Sequence, residues 1–296
     1  MKEKLYNFVQ KKSDKDIKIR IDYASSSSID PRKVTTLRLL EMKKNQQKIV
    51  CLTAYDALVS RILDEAGVDL ILVGDSLGNV VQGKSTTLPV TIEETIYHTK
   101  AVVAGATRPL IVADMPFMSY QVSADEAFRN AGRIMKETGC NAVKLEGASK
   151  RIVKAITRMT EAGIPALGHL GLTPQSINKF GTYKARGKDP KEAEQIFEDA
   201  QRLENAGAFA IVLEKIPQNL AKKITEILKI PTIGIGAGMH CDGQILVYTD
   251  MLGLTIDFNP RFVRRYAHIY EDITNAVLHY SEDVRSKDFP NEEESY

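Results

Sequence analysis

Leu70 to Ser76 reads LILVGDS, four large apolar residues that run without a break into Gly74, Asp75 and Ser76. A strand with one wet face alternates apolar and polar residues. A run that is apolar at every position suits a strand buried on both faces, as in a parallel sheet clad by helices. Gly-Asp-Ser at its end is ordinary turn chemistry, because Asp and Ser bond their own backbone and Gly tolerates positive φ. The tripeptide alone therefore decides nothing about function, and the rest of the chain must.

Seven other runs share the pattern: KIVCLTAYD from Lys48, PLIVADMP from Pro109, NAVKLEG from Asn141, IPALGHLG from Ile164, FAIVLEKIP from Phe209, IPTIGIGAG from Ile230 and QILVYTDMLG from Gln244. Segments between them, such as ALVSRILDEAG, ADEAFRNAGRIMKETG, ASKRIVKAITRMTEAG and EAEQIFEDAQRLENAG, have helical apolar spacing and close on glycine, as helix C-caps do. Eight strand and helix units without a hairpin signal or an antiparallel edge predict an α/β fold, a closed (β/α)8 TIM barrel, over an open doubly wound sheet. VTTLRLLEMKK, Val34 to Lys44, predicts an extra N-terminal helix with a Thr cap. Residues 1–33 are lysine-rich, carry the run Ser25 to Ser28 and stop at Asp30-Pro31, the composition of a mobile extension. Residues 34–296 then form a single catalytic barrel domain.

Forty Lys and Arg against 38 Asp and Glu leave no electrostatic footprint for nucleic acid or an anionic membrane, so a small-molecule partner is expected. Cys51, Cys140 and Cys241 are scattered and odd in number, which suggests neither a disulfide framework nor a zinc site and points to a reducing compartment. No apolar run approaches the roughly 18 residues of a membrane span. The N-terminus lacks an apolar signal core, and Glu3, Asp14 and Asp16 argue against a transit peptide. A cytoplasmic protein is expected.

In a (β/α)8 barrel the active site lies at the carboxyl ends of the strands. The ionisable residues at those ends are Asp75, Asp114, Lys144, Glu146, His169 and Glu214. Asp75, Asp114 and Glu146 offer hard oxygen ligands with no His or Cys set beside them, which favours Mg2+ over zinc. Each Asp taken singly reads equally as a helix cap or loop hydrogen bond. Lys144 and Glu146 share one face of their strand, so the lysine either pairs with Glu146 or meets a substrate carboxylate or enolate oxygen. His169 is placed to donate to a keto oxygen. Glu214 follows three apolar residues, and partial desolvation lifts a carboxylate towards the range useful to a general base. GIGAG at 234–238 lacks the spacing and context of a dinucleotide loop and reads as a close-packed barrel turn. Together the groups describe a site that enolises a 2-oxo acid.

These residues, taken in order, closely resemble the 3-methyl-2-oxobutanoate hydroxymethyltransferase (ketopantoate hydroxymethyltransferase) family. The resemblance rests on LTAYD at 52–56, ILVGDSLGNVVQGKSTTLPVT, YHTKAV at 97–102, DMPFMSY at 114–120, VKLEG, GHLGLTPQS, IGIGAG followed by DGQILV, and FPNEEES near the C-terminus. It spans Val34 to the C-terminus. It implies a (β/α)8 barrel that assembles as a homodecamer and uses Mg2+ and 5,10-methylenetetrahydrofolate to make 2-dehydropantoate for pantothenate biosynthesis. It also implies a metal site at Asp75, Asp114 and Glu146, substrate contacts from Asp75, Ser76, Asp114, Lys144 and His169, and Glu214 as proton acceptor. Lys84, Thr182, Met239 and His240 depart from the family pattern at positions away from the metal and the base. A lyase of the phosphoenolpyruvate and isocitrate-lyase type would commonly carry a cysteine in a gating loop, and no cysteine here sits in one. A barrel that had become a binding scaffold would not be expected to keep every ionisable strand end.

Overall fold

The computed structural model describes residues 30–296. Its eight strands are β1 Ile49–Thr53, β2 Leu70–Val73, β3 Leu110–Asp114, β4 Ala142–Glu146, β5 Ala166–Gly171, β6 Ala210–Glu214, β7 Thr232–Ile235 and β8 Gly243–Leu246. All pair in parallel in chain order, and β8 closes on β1. Each of the eight apolar runs supplies one strand, so the predicted barrel is the observed one.

Two apolar layers follow from the alternation of side chains along each strand. Leu70, Leu72, Leu110, Val112, Ala142, Leu167, Val212 and Ile233 point inward and fill the barrel. Ile71, Ile111, Val143, Leu145 and Ile211 point outward and pack under the helices. The helices among the described residues are, in chain order, α1 Thr36–Lys44, α2 Ala57–Glu65, α3 Leu77–Val80, α4 Ile92–Gly105, α5 Ala124–Thr138, α6 Lys150–Glu161, α7 Ile177–Phe180, α8 Pro190–Asn205, α9 Gln218–Ile227, α10 Tyr248–Met251 and α11 Ile269–Ser286.

Local chemistry sets the helix ends. Thr35 caps α1 through the Arg38 amide, Asp56 caps α2, and Thr91 with Glu94 forms a reciprocal capping box on α4. Gly139, at φ 76°, closes α5 in the left-handed conformation that glycine adopts without strain. The crossing of α2 and α4 depends on Gly105, where an added Cβ would lie 2.1 Å from Ser60 Oγ. GIGAG is the tight turn expected, since a Cβ on Gly238 would lie 2.4 Å from that of Gln218.

Four residues of the expected extension, 30–33, lie within the described residues. Residues 30–33 are tied to the barrel: Asp30 takes the guanidinium of Arg38 at 2.6 Å, and Lys33 Nζ donates to the Thr107 carbonyl at 2.6 Å. The rest of the predicted extension, residues 1–29, lies outside the described residues. Among the described residues no helix is long and apolar enough to cross a membrane.

Candidate active site

The inner-face pattern that fills the barrel with Leu and Val also delivers the polar groups. Val112 is followed two residues on by Asp114, Ala142 by Lys144 and then Glu146, Leu167 by His169, and Val212 by Glu214. Each polar side chain thus stands one inward step above the apolar floor. Register places them beside one another: Asp114 pairs with Lys144, and Glu146 with His169. With Asp75 and Ser76 from the turn after β2, all line one cavity of about 1080 Å³ at the carboxyl ends of the strands. The structure therefore brings all seven predicted site residues together.

Contacts run continuously around this mouth. The Asp75 amide donates to Asp114 Oδ2 at 3.2 Å, and Lys144 Nζ donates to both Asp114 oxygens at 2.7 Å. Lys144 lies 3.6 Å from Glu146 Oε1, so its principal partner is Asp114 and not the Glu146 that strand parity alone suggested. Glu146 Oε1 is 3.2 Å from His169 Nδ1, and His169 Nε2 is 3.4 Å from Glu214 Oε2. Glu214 is the wetter acid, its side chain 16% exposed against 3% for Glu146. Lys215 points elsewhere, its Nζ donating to the Tyr183 carbonyl at 2.7 Å. The Ser76 hydroxyl shares a 2.8 Å hydrogen bond with Tyr55.

The electrostatics follow from burying like charges together. Burial, then the charges of Asp114 and Glu146, push the Asp75 carboxyl up to about 7 against the opposing pull of Lys144 and Gln175. Burial and the Glu146 charge raise Asp114 as well, although Lys144 opposes them. Burial also works against ionised Glu146, but Lys144 and His169 outweigh it and hold that carboxyl below its ordinary range. For His169, burial and Lys144 favour the neutral ring, yet the Glu146 and Glu214 carboxylates facing its two nitrogens win and lift it to about 9. Lys144 is held above its ordinary value, because Asp114, Glu146 and Asp75 together outweigh the cost of its burial.

Among the described residues no three His, Cys, Asp or Glu side chains form a ready metal cage. The donor set nevertheless fits Mg2+, which takes one or two carboxylates and fills its octahedron with water and substrate oxygens. Three buried acids, Asp75, Asp114 and Glu146, face Lys144 and the His169 ring, and the His169 contacts to Glu146 and Glu214 fall short of aligned hydrogen bonds. Carboxylates crowded together in this way suit a bound cation.

Sequence reasoning gave no role to Gln175, which sits in a turn at Pro174–Ser176. Its amide nitrogen donates to Asp75 Oδ2 and to the Met115 carbonyl, both at 3.0 Å, and its backbone N–H donates to Glu146 Oε2 at 3.0 Å. Tyr120 anchors it, the hydroxyl donating to Gln175 Oε1 at 2.7 Å. One glutamine thus orients two of the acids. No spacing or periodicity in the sequence marks it, because its partners come from β2 and β4. Lys84, Thr182, Met239 and His240 do not line the cavity, although their neighbours Ser85 and Tyr183 do.

Fold and site together define a barrel enzyme with an acidic, lysine-bearing mouth. A family model described as ketopantoate hydroxymethyltransferase matches residues 33–292, and the chain belongs to that family. Among similar proteins, the 3-methyl-2-oxobutanoate hydroxymethyltransferase of Chlorobaculum tepidum is 60% identical over 267 residues, covering 89% of this chain and 96% of the relative. That of Flavobacterium johnsoniae is 55% identical over 272 residues, 92% of this chain and 100% of the relative. The fold is also similar to a phosphonopyruvate hydrolase solved in complex with oxalate and Mg2+, with a TM-score of 0.58, 11% identity, and coverage of 88% of this chain and 93% of that one. A 2,3-dimethylmalate lyase of the PEP mutase/isocitrate lyase superfamily gives a TM-score of 0.54 at 14% identity over 75% of this chain and 84% of that one. At such identities these two structures speak to the fold alone. The protein is a transferase of the hydroxymethyltransferase family.

Proposed function

We propose that the protein transfers a hydroxymethyl group from 5,10-methylenetetrahydrofolate to 3-methyl-2-oxobutanoate, forming 2-dehydropantoate. Family membership supports the reaction, and the partition of the acids supports the mechanism. Asp75, Asp114 and Glu146 are buried together, whereas Glu214 stands apart and partly wet beyond His169.

Asp75 and Asp114, with Glu146 beside them, would hold Mg2+, which when bound supplies Lewis-acid polarisation of the 2-oxo group. Ser76 and Lys144 orient the oxo acid at the cavity floor. Glu214 takes the single proton on C3 of the substrate, and the electron pair of that C–H bond passes to the enolate. His169, held between Glu146 and Glu214, fixes the direction of the Glu214 carboxylate and donates towards oxygen as charge develops there. Water first adds to the methylene carbon as both of its bonds to folate nitrogens break. The two nitrogens take the two water protons, which frees a formaldehyde equivalent. C3 then attacks that carbonyl carbon, whose oxygen takes the proton held by Glu214 and becomes the hydroxyl. The outer wall of the cavity, with Tyr248, Ile256, Phe258, Phe262 and Tyr270, is apolar and aromatic, which suits a stacked pterin ring. A homodecameric assembly and a cytoplasmic location belong to the same proposal.

Purified protein given Mg2+, the oxo acid and methylenetetrahydrofolate should produce 2-dehydropantoate, read by mass spectrometry. Absence of that product with a folded, metal-loaded sample would overturn the proposal.

A further inference from the structure

The loop between α7 and α8, which follows β5, carries an uneven share of charge. The whole chain balances 40 basic against 38 acidic side chains, yet residues 179–191 hold Lys179, Lys184, Arg186, Lys188 and Lys191 against Asp189 alone. A basic loop is by itself only a solvated surface, so its position and its pairing decide what it can do.

Hydrogen bonds tie the loop to the rim of the cavity. Lys215 Nζ donates to the Tyr183 carbonyl at 2.7 Å, and the Arg186 amide donates to the Lys215 carbonyl at 2.9 Å. Tyr183 and Lys215 both line the cavity, and Tyr183 is 54% exposed, so the wall opens to solvent here. The negative charge nearby is already in use. Asp189 caps α8 through the Lys191 and Glu192 amides, while the Glu192 carboxylate holds the Arg186 guanidinium and the Gly187 amide. Lys184, Lys188 and Lys215 form no ion pair among the described residues.

Lys215 is also held in a costly conformation. Its φ is 46°, in the left-handed region that residues other than glycine seldom adopt. Such strain persists where the surroundings over-determine it, and it collects at ligand clamps. The Lys215 amide donates to the Ile235 carbonyl at 2.9 Å, and its ammonium lies 5.7 Å from the centre of the Phe262 ring. An ammonium carries three donors. One meets Tyr183, and the others are left for a ligand at the cavity edge.

The cavity, at about 1080 Å³, is much larger than a five-carbon oxo acid needs. Phe262 belongs to the aromatic wall that suits the pterin, so the wall and the cation adjoin. A folate continues from its pterin through an aminobenzoyl ring to glutamate, and each further γ-linked glutamate adds one carboxylate. A tail leaving the wall past Phe262 meets Lys215 and the lysines of the loop pinned to it. We propose that Lys215, with Lys184 and Lys188, binds the carboxylates of a γ-linked oligoglutamate tail on the folate donor and selects tailed donors over untailed ones. This rests on the folate reading given above and extends it to the part of the donor that takes no part in bond making.

The methylene forms of tetrahydropteroate, which has no glutamate, and of its mono- and triglutamates test it. Exposed ion pairs contribute up to about five-fold each, so the donor KM should fall about ten-fold or more from tetrahydropteroate to the triglutamate, with kcat nearly level. Sodium chloride at about 1 M, where the Debye length is roughly 3 Å, should erase most of that gain. Lys184→Gln, Lys188→Gln and Lys215→Gln together should make the three donors nearly equal. That variant should keep the parent KM for the oxo acid and the parent rate of hydrogen exchange at C3 in D2O without folate, which also shows that it is folded. A parent KM indifferent to tail length, a gain that survives high salt, or a folded triple variant that keeps the preference would each overturn the proposal. The tail and salt series on the unaltered protein decide the matter even where the triple variant fails to fold. Absence of product with every donor would strike the folate reading itself, and this proposal with it.

Discussion

Replacing Gln175 by Leu keeps roughly the size of the side chain but removes four hydrogen bonds at once, one from the part-buried Gln121 amide and three with fully buried groups. Asp75 Oδ2, the Met115 carbonyl and the Tyr120 hydroxyl would each lose a partner inside the protein. An unsatisfied buried polar group costs about 1–3 kcal/mol. The three costs share one cavity and partial relief by water, so a total of roughly 3–5 kcal/mol is expected, seen as a lower denaturant midpoint. The larger functional effect is on Asp75, whose carboxylate loses the donor that fixes its direction. Groups that orient metal ligands typically contribute about 10–100-fold to affinity. Mn2+ used as a probe for Mg2+ and followed by electron paramagnetic resonance should therefore bind the Gln175→Leu protein about 10–100-fold more weakly. Gln175→Glu should also weaken binding of the oxo acid, since it adds a fourth acid to the buried cluster. Unchanged Mn2+ affinity in a folded Gln175→Leu protein would show that this glutamine orients nothing that matters to the metal.

Chelation should abolish product formation and added Mg2+ should restore it, while Asp75→Ala should lose Mn2+ binding and keep the far-ultraviolet spectrum of the barrel; full turnover after chelation would contradict the metal site. Deleting residues 1–29 should leave kcat within about two-fold by the general tolerance of terminal segments, whereas extending the deletion through Lys33 should lower the melting temperature, because Lys33 and Asp30 hold the barrel floor. Asp250 supplies a pH test away from the metal ligands. Burial raises its carboxyl against the pull of Thr255 and Arg265, and its Oδ1 is buried without a partner. The folded state therefore holds that proton more tightly than the unfolded chain. Its contribution to stability is present below the unfolded carboxyl range and is lost as pH rises through the folded value. Asp250→Asn, which cannot ionise, should gain in melting temperature relative to the parent at pH 8 more than at pH 4; equal differences at the two pH values would refute the assignment.

The barrel was legible because a strand buried on both faces writes its burial into every residue, as LILV, LIVAD and AIVLE do. The acids and the lysine were legible for the complementary reason, that a charge ending such a run is costly unless it is used. Partnerships were less so. Lys144 meets Asp114 through the register of β3 on β4, and strand parity within β4 could only offer Glu146. Gln175 was invisible because its value comes from two distant strands converging on a short turn. Asp30 and Lys33 look like loose tail by composition, yet a few long-range hydrogen bonds to Arg38, Thr107 and Arg108 pin them.

The central claim is that this barrel mouth removes the C3 proton of 3-methyl-2-oxobutanoate with Glu214. Enolisation needs no folate, so the intact protein with Mg2+ should exchange that hydrogen for deuterium in D2O, followed by proton magnetic resonance of the methyl signals. Glu214→Gln keeps the size and the contact to His169 but removes the base. It should slow exchange by about 10²–10⁴-fold, the usual worth of a general base, while binding the oxo acid nearly as well. Exchange undiminished in the Glu214→Gln protein would contradict the account and move the base to His169 or Lys144.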